Sequence, residues 1–456
     1  MENPEVYLPL LMILSLAVFL FSGFPVGFVL AGVGVFFCGL GYVLGEFPWV
    51  AFYNIPLRVY GAVAHSIIFP AIPMLLLMGV AFEKSGAARD MLLCLQVLLK
   101  KVPGQLAISV TVLGILLGPL PGLVGISVAT LALLALPTML EQNYKPSVAT
   151  GCVAAAGSLG VIIPPSVMLF FLSSQMRVSM GHVFLGVLIP SLTLSGLYLL
   201  YYLFRGIIDA KGRPAPNIKV PEGGALGLFF FAVQNLVLPV ALIGMVLGSI
   251  IWGLATPSQS GALGAAGGLV LMLIKGKFTL PNLHDVIKKT ALMTSMVFFI
   301  VMAANVFSYP FRYFGGDDLI ANFLWGLGLN DWGVLLAVLG IIFVLGFFID
   351  WIEITIITLP IFLPVLDKLD LSAHLAHPEL SKLWIGVLIA LVLQTSFMTP
   401  PFGFALFFVK GASPPSVKLS DVYRGAVPLV GIQLTTLFLV MGFPLLATWL
   451  PKLVFD

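Results

Sequence analysis

Charged residues are scarce in this sequence: lysine, arginine, aspartate and glutamate make up only 9% of its 456 residues. Soluble domains carry about 25% of such residues, so the composition excludes an ordinary soluble fold. Hydrophobic residues amount to 60%, and the mean hydropathy is +1.12. At roughly 20 residues per crossing, the chain has room for about ten to twelve membrane elements and no sizeable soluble domain. The net charge of +3 is too small and too dispersed to indicate nucleic-acid binding.

Cysteine and enzyme motifs are also nearly absent. Cys38, Cys94 and Cys152 lie in apolar runs without CxxC spacing, which predicts small buried hydrophobic residues rather than a disulfide or a metal site. The sequence has no HExxH, GxSxG or GxxxxGK[ST] motif, so a zinc protease, a serine hydrolase or an ATP motor is not indicated. We therefore predict that the protein is not an enzyme and uses no organic cofactor.

Proline, in contrast, occurs twice where a membrane-spanning helix should be continuous. GSLGVIIPPS contains Pro164 and Pro165, and QTSFMTPPFG contains Pro400 and Pro401. Because proline donates no backbone N–H and restricts the residue before it, both helices must break. Unpaired backbone groups at membrane depth are tolerated only where they line a cavity or bind something. A matched pair of broken helices is typical of the binding site of a secondary transporter.

The order of the apolar runs predicts an all-α polytopic membrane protein with two inverted repeats, re-entrant helical hairpins and discontinuous helices. The first repeat, 1–204, comprises scaffold spans, a surface helix at 49–65, a hairpin at about 107–140 and a broken helix at about 146–176. A linker at 205–224 follows. The second repeat, 225–456, comprises a surface helix at about 278–290, a hairpin at about 334–366 and a broken helix at about 383–412.

Corresponding positions in the two halves test this repeat. When the second half is aligned on the first, Pro164 maps onto Pro400, and Gly118 maps onto Gly346. Gly122 maps onto Asp350 in the same alignment of the hairpins. The spacing drifts slightly between hairpin and broken helix, as differences in loop length would produce. Identity between the halves is low, so the shared order of elements carries the inference.

Each hairpin has a second interpretation, as two full crossings joined by a tight turn. The turn at 118–122 contains no strongly polar residue that would need water, which favours the re-entrant form. In the predicted topology, 16 of the 22 lysines and arginines share one side. That side is therefore predicted to be cytoplasmic, with both termini facing outward. Full crossings would leave these sides unchanged, so both interpretations stay open.

Small and hydroxyl-bearing residues surround both breaks. Hydroxyl and freed carbonyl oxygens suit a dehydrated alkali cation, while half-helix N-termini suit an anion. The alternative is that the small residues only permit close helix packing. Asp350 and Glu353 lie within the second hairpin, where a buried carboxylate indicates a cation or proton partner. If that tip lies near the surface, they are instead ordinary solvated charges.

Five segments resemble the large membrane subunit, the M or DctM-like subunit, of tripartite ATP-independent periplasmic (TRAP) transporters. They are FPAIPMLLLMGVAFEKSG, AAAGSLGVIIPPS, GLATPSQSGALGA, LGFFIDWIEITIITLPIFLP and QTSFMTPPFGFALFFVKG. The resemblance implies an elevator-type fold and sodium-driven import of an organic acid across the bacterial inner membrane. It also implies a small membrane (Q) subunit and a soluble periplasmic substrate-binding (P) protein as partners.

The resemblance also implies where ligands bind. Sodium, the only metal expected, would be held near the hairpin tips and broken helices by Gly118, Gly122, Gly125, Gly157, Ser158, Gly160, Asp350, Thr395, Ser396 and Thr399. Substrate would contact Pro164, Pro165, Ser166, Pro400, Pro401 and Gly403. Many members have a glycine- and serine-rich first tip, whereas this chain reads GPLPGLVGIS, which favours backbone carbonyls there. Gln259 stands where an acidic residue is common in the family.

Two other functions stay open on the sequence. A self-sufficient sodium and anion symporter would share the broken helices but need no binding protein. An ion-conducting subunit of a membrane complex would carry ionisable residues along successive spans, and these are sparse here. No arginine lies at a break to hold a carboxylate, so a carboxylate, a sulfonate or a less charged solute all fit as substrate.

Overall fold

Helices form the regular structure of the chain. The computed structural model describes residues 4–64, 69–118, 124–208, 224–400 and 403–455, and these contain no β-strand. The first half contains α1 (Pro4–Phe21), α2 (Val26–Val43), α3 (Trp49–Phe52), α4 (Asn54–Ala64), α5 (Ala71–Ser85), α6 (Ala87–Leu98), α7 (Gln105–Leu117), α8 (Val124–Glu141), α9 (Pro146–Ile162), α10 (Val167–Met176) and α11 (Met180–Ile208).

The second half contains α12 (Gly224–Ala232), α13 (Leu238–Ile251), α14 (Pro257–Ile274), α15 (Leu280–Tyr313), α16 (Gly316–Gly326), α17 (Asp331–Leu345), α18 (Trp351–Glu353), α19 (Leu359–Leu366), α20 (Ser381–Ser396), α21 (Phe404–Ala412), α22 (Leu419–Gly442) and α23 (Leu445–Phe455). Turns of π-helix occur at Val233–Val237 and Ile354–Thr358, and 3-10 turns at Ser372–His374 and Pro378–Leu380.

Several helices are long enough to span a membrane, which confirms a polytopic all-α protein. Among the described residues, seven helices are long and apolar enough to cross a bilayer. Two further pairs pass the same test together but bend sharply, by 63° between α5 and α6 and by 43° between α9 and α10. The second of these bends is the break predicted at Pro164 and Pro165.

The surface helix predicted at 278–290 is not a separate element, which corrects that expectation. It is the beginning of α15, a helix of 34 residues. Thr279 caps this helix by accepting a hydrogen bond from the backbone N–H of Asn282, and Pro281 occupies the first turn, where proline is tolerated. No glycine or proline follows until Pro310, so nothing in the local sequence ends the helix between the surface segment and the span.

The helices pack in two groups. In the first, α5 packs on α14, and α15 packs on α2, α4 and α5. Ion pairs reinforce it, with Lys84 2.6 Å from Asp285 and Lys275 2.7 Å from Asp90. In the second group, the first hairpin packs on α11, and the broken helices pack on α11, α22 and α23.

Each hairpin contacts both broken helices. The first hairpin, α7 and α8, packs on α9, and α8 also packs on α21. The second hairpin, α17 to α19, packs through α17 on α20 and through its tip and second arm on α10. Each hairpin thus touches the first half of its own broken helix and the second half of the other.

Candidate functional site

The first break is a buried, ordered turn. Between α9 and α10 the chain passes through Ile163, Pro164 and Pro165, and the peptide bond from Pro164 to Pro165 is cis. Ser166 then caps α10: its Oγ accepts from the backbone N–H of Leu169 at 3.3 Å and donates to the carbonyl of Val161 at 2.5 Å. The predicted substrate residues Pro164, Pro165 and Ser166 therefore lie together, and all three are buried.

The second break lies between the end of α20 at Ser396 and the start of α21 at Phe404. The backbone N–H of Ala405 donates across it to the carbonyl of Phe397 at 3.1 Å. Gly403 makes this closure possible, because its φ of +45° lies in a region that side chains disfavour. Gly403 is buried and Pro400 is half-buried, whereas Pro401 lies outside the described residues.

The hydroxyls predicted as sodium ligands all donate to backbone carbonyls three or four residues before them in the chain. Their acceptors are Ala155 for Ser158 (3.0 Å), Leu391 for Thr395 (2.8 Å), Leu393 for Ser396 (2.6 Å) and Thr395 for Thr399 (2.8 Å). A hydroxyl that has given its only proton to a carbonyl retains lone pairs that can accept a hydrogen bond or coordinate a cation. Ser158, Thr395 and Ser396 are buried, and Thr399 is half-buried.

Backbone approaches backbone at the tip of the first hairpin. Gly118 and Gly160 lie so close that a Cβ on Gly160 would be 2.6 Å from the Gly118 carbonyl oxygen. Gly157 packs in the same way on Val128 of α8. Close packing accounts for these glycines, and it also places the Gly118 carbonyl beside α9. Gly125 does not join this contact, because it faces the ring of Phe408, and Gly122 lies outside the described residues.

The second hairpin repeats this contact. A Cβ on Gly346 would overlap the side chain of Ser396. In the alignment of the two halves, Gly346 corresponds to Gly118 and Ser396 corresponds to Gly160. The two halves thus place matching residues in matching contacts between a hairpin and a broken helix.

Two carboxylates occupy the tip of the second hairpin. Asp350 is half-buried, and its Oδ1 accepts from the backbone N–H of Trp351 at 2.8 Å, which caps α18. Glu353 is buried, and its Oε2 has no hydrogen-bond partner among the described residues. Among the residues that the structure describes, no hydrogen bond joins Asp350 to Thr395 or Thr399. Carboxylates in such surroundings require a cation or a proton.

One polar residue at the breaks was missed by the sequence analysis. Gln394 is fully buried in α20, and its Nε2 donates to Ser158 Oγ in α9 at 3.0 Å. The signal available in the sequence was a glutamine within an apolar helix, directly before Thr395. Gln259, by contrast, has a structural role: its Oε1 accepts from the backbone N–H of Thr256 at 2.8 Å in a capping box that begins α14.

Comparison with known proteins relates the chain to one family of membrane transporters. The family model described as "Tripartite ATP-independent periplasmic transporter, DctM component" matches residues 13–446. The C4-dicarboxylate TRAP transporter large permease protein DctM of Pseudomonas aeruginosa is 25% identical over 84% of this chain and 86% of its own length. The ectoine TRAP transporter large permease protein TeaC of Halomonas elongata is 24% identical over 84% of this chain and 86% of its own.

Two further matches cover almost the whole chain. The sialic acid TRAP transporter large permease protein SiaM of Vibrio cholerae is 24% identical over 95% of this chain and 96% of its own length. The crystal structure of the Alcanivorax borkumensis YdaH transporter superposes with a TM-score of 0.58 at 13% identity, covering 89% of this chain and 90% of that one. At this identity the superposition indicates a shared fold only.

Proposed function

Because the chain belongs to the DctM-component family of tripartite ATP-independent periplasmic transporters, we propose that it imports a small organic acid anion by sodium symport and an elevator movement. It is a multi-pass membrane protein and the large permease component of a transporter, not an enzyme. Membership of the family implies partnership with a small membrane subunit and a periplasmic binding protein. The bacterial inner membrane is the corresponding location.

One observation carries the sodium part of the proposal: each break places buried hydroxyl oxygens, whose protons are already donated, beside the end of a hairpin. Ser158 lies on the helix that packs against Gly118, and Ser396 packs against Gly346. Hydroxyl and carbonyl oxygens are the hard ligands that a sodium ion prefers. Asp350 would add one negative charge at the second tip. We therefore assign one sodium site to each hairpin and its broken helix.

The substrate part rests on the ends of the half-helices. The N-termini of α10 and α21 begin at Ser166 and Gly403, within the breaks, and a helix N-terminus carries partial positive charge. Discontinuous helices orient such ends toward anionic groups in other transporters. The relatives are named for a C4-dicarboxylate, ectoine and sialic acid, which differ widely in size and charge. We propose an organic acid anion as the class and leave its skeleton to experiment.

The elevator part rests on the boundary between the two groups of helices. Helices α1 and α16 pack on α15 of the first group. Between these three helices and the second hairpin lies an apolar cavity of about 300 Å³, and Phe307, Phe323, Ile341 and Phe362 are among its lining residues. An apolar boundary lets one group slide past the other with few polar contacts to break. Moving one charge through the membrane potential is worth about 2.3 kcal/mol per 100 mV, so two sodium ions would drive steep accumulation of an anion.

Uptake into proteoliposomes tests the proposal. The permease is reconstituted with its small membrane subunit, and the substrate is the compound that stabilises the partner binding protein in a ligand screen. We expect uptake to require both an inward sodium gradient and the binding protein. Equal uptake when potassium replaces sodium would refute sodium coupling. Full uptake by this chain alone, from free substrate, would favour the self-sufficient symporter.

A further inference from the structure

The two broken helices meet through a single described side-chain hydrogen bond, from Gln394 Nε2 to Ser158 Oγ at 3.0 Å. Both residues are fully buried. Their separation along the chain equals that between the two proline pairs. Residues at matching positions of the two halves therefore touch each other, so the bond lies where the two halves meet.

The single hydroxyl proton of Ser158 determines which of the two residues is the donor in this bond. Ser158 donates its only hydroxyl proton to the carbonyl of Ala155 at 3.0 Å, so its oxygen must accept from Gln394. Gln394 Oε1 then has no partner among the described residues. The backbone carbonyl of Gln394 also accepts a long hydrogen bond, 3.5 Å, from Gln433 Nε2. Gln394 is thus held in place from two sides.

The alternative is that Gln394 only pins two helices together. Burying an amide oxygen without a partner is costly, and an apolar residue of similar size would avoid that cost. A purely structural position has no need of the amide. Its location instead matches the proposed ion sites: Ser158 belongs to the first, and Gln394 directly precedes Thr395 and Ser396 of the second.

We propose that Gln394 is a positioning residue that couples the two sodium sites. This inference rests on the proposed sodium symport. A sodium ion beside Ser158 would fix the hydroxyl and, through the hydrogen bond, the end of α20 that carries Thr395 and Ser396. The second site would then bind sodium at a lower cost in conformational entropy, because its residues would already be ordered. Because coupling between two binding sites is reciprocal, occupancy of the second site strengthens the first equally.

Sodium binding to the purified full-length permease tests the coupling. The probe is sodium chloride titrated against choline chloride at constant ionic strength, and the readout is the rise in melting temperature. We expect a Hill coefficient clearly above 1 for the wild type. In Gln394→Met it should fall to about 1, and half-saturation should require roughly tenfold more sodium, within the range typical of coupled sites.

Two further variants keep the test decisive. Gln394→Asn keeps the amide but shortens the side chain by one methylene, so it loses the bond to Ser158 without removing a proposed sodium ligand. It should also reduce the Hill coefficient to about 1, so a Gln394→Met variant that fails to fold does not end the test. Gln105→Met is the matched control: Gln105 is a buried amide on α7 whose side-chain atoms have no partner among the described residues. It should leave both the Hill coefficient and half-saturation unchanged.

The possible failures are distinguishable. Wild-type cooperativity that survives in folded Gln394→Met overturns the coupling and leaves sodium symport standing. A wild type that binds sodium with a Hill coefficient of 1 also overturns the coupling and leaves sodium symport standing. A wild type whose melting temperature ignores sodium, and whose uptake is also indifferent to it, overturns the proposed symport and the coupling with it.

Discussion

The contact between Gly118 and Gly160 offers the most direct perturbation of the first proposed ion site. In Gly160→Ala, the new methyl group would overlap the Gly118 Cα and lie 2.6 Å from the Gly118 carbonyl oxygen, whereas ordinary contact begins at about 3.4 Å. The hairpin must therefore retreat by at least the difference for the oxygen, about 0.8 Å, because the obstacle is backbone and cannot rotate away. Overpacking of this kind costs about 1–3 kcal/mol. We expect this cost to act on the sodium-bound state, because the proposed site needs the hairpin in contact with α9. At about 1.4 kcal/mol per factor of ten, sodium affinity should then fall by up to roughly 140-fold.

Gly196→Ala provides the matched control for this prediction. Gly196 lies in α11, and no atom of the described residues outside its own helical backbone lies within 4 Å of the position where its Cβ would be. Replacing a glycine inside a helix by alanine normally stabilises by about 0.5–1 kcal/mol, so this variant should be neutral or slightly more stable. Both variants are compared by sodium titration of the melting temperature and by sodium-dependent uptake. Wild-type sodium dependence in Gly160→Ala would refute the assignment of this contact to an ion site.

Three other substitutions test separate parts of the proposal. Asp350→Asn should abolish sodium-driven uptake and leave folding intact, because asparagine still caps α18 through its Oδ1. Asp370→Asn, at an exposed position, is the control, and retained sodium coupling in Asp350→Asn would exclude Asp350 as a ligand. Ser166→Ala removes the cap of α10 and should lower stability by about 1 kcal/mol and weaken uptake, measured by thermal shift and transport; unchanged values would show that the cap is dispensable. Arg312→Gln removes the hydrogen bond of 3.1 Å from Nη2 to the Pro360 carbonyl, which joins α15 to the second hairpin. The ratio of inward-facing to outward-facing permease, measured by the accessibility of introduced cysteines, should change while sodium half-saturation stays the same. An unchanged ratio would contradict a moving boundary there.

Arg312 also illustrates how a proline creates a need for tertiary contact. The backbone N–H that would normally donate to the Pro360 carbonyl belongs to residue 364, which is also proline and has none. The carbonyl is left for another donor, and Arg312 supplies it from α15. Because Arg312 also lies 3.4 Å from Asp317, its guanidinium is held near the boundary between the two groups of helices.

Other elements show where local reasoning was insufficient. Helices α6 and α16 were not predicted, because α6 follows charged residues after a break at Gly86 and α16 is a short amphipathic segment. The apolar stretch at 423–448 is long enough for one span, but the structure divides it between α22 and α23. Pro444 explains that division, because the residue before a proline is pushed out of helical geometry, and Phe443 has a non-helical φ of −125° and ψ of 77°.

The sequence by itself determined the features that depend on composition and on covalent geometry. Scarce charge required a membrane protein, and the paired prolines at 164–165 and 400–401 favoured breaks in helices, because each proline removes a backbone N–H wherever the rest of the chain lies. Only the tertiary structure decided which groups meet at those breaks. The hydrogen bond from Gln394 to Ser158 and the contact of Gly118 with Gly160 join residues on separate helices. No local pattern encodes such pairs, because they arise from how whole helices pack in space.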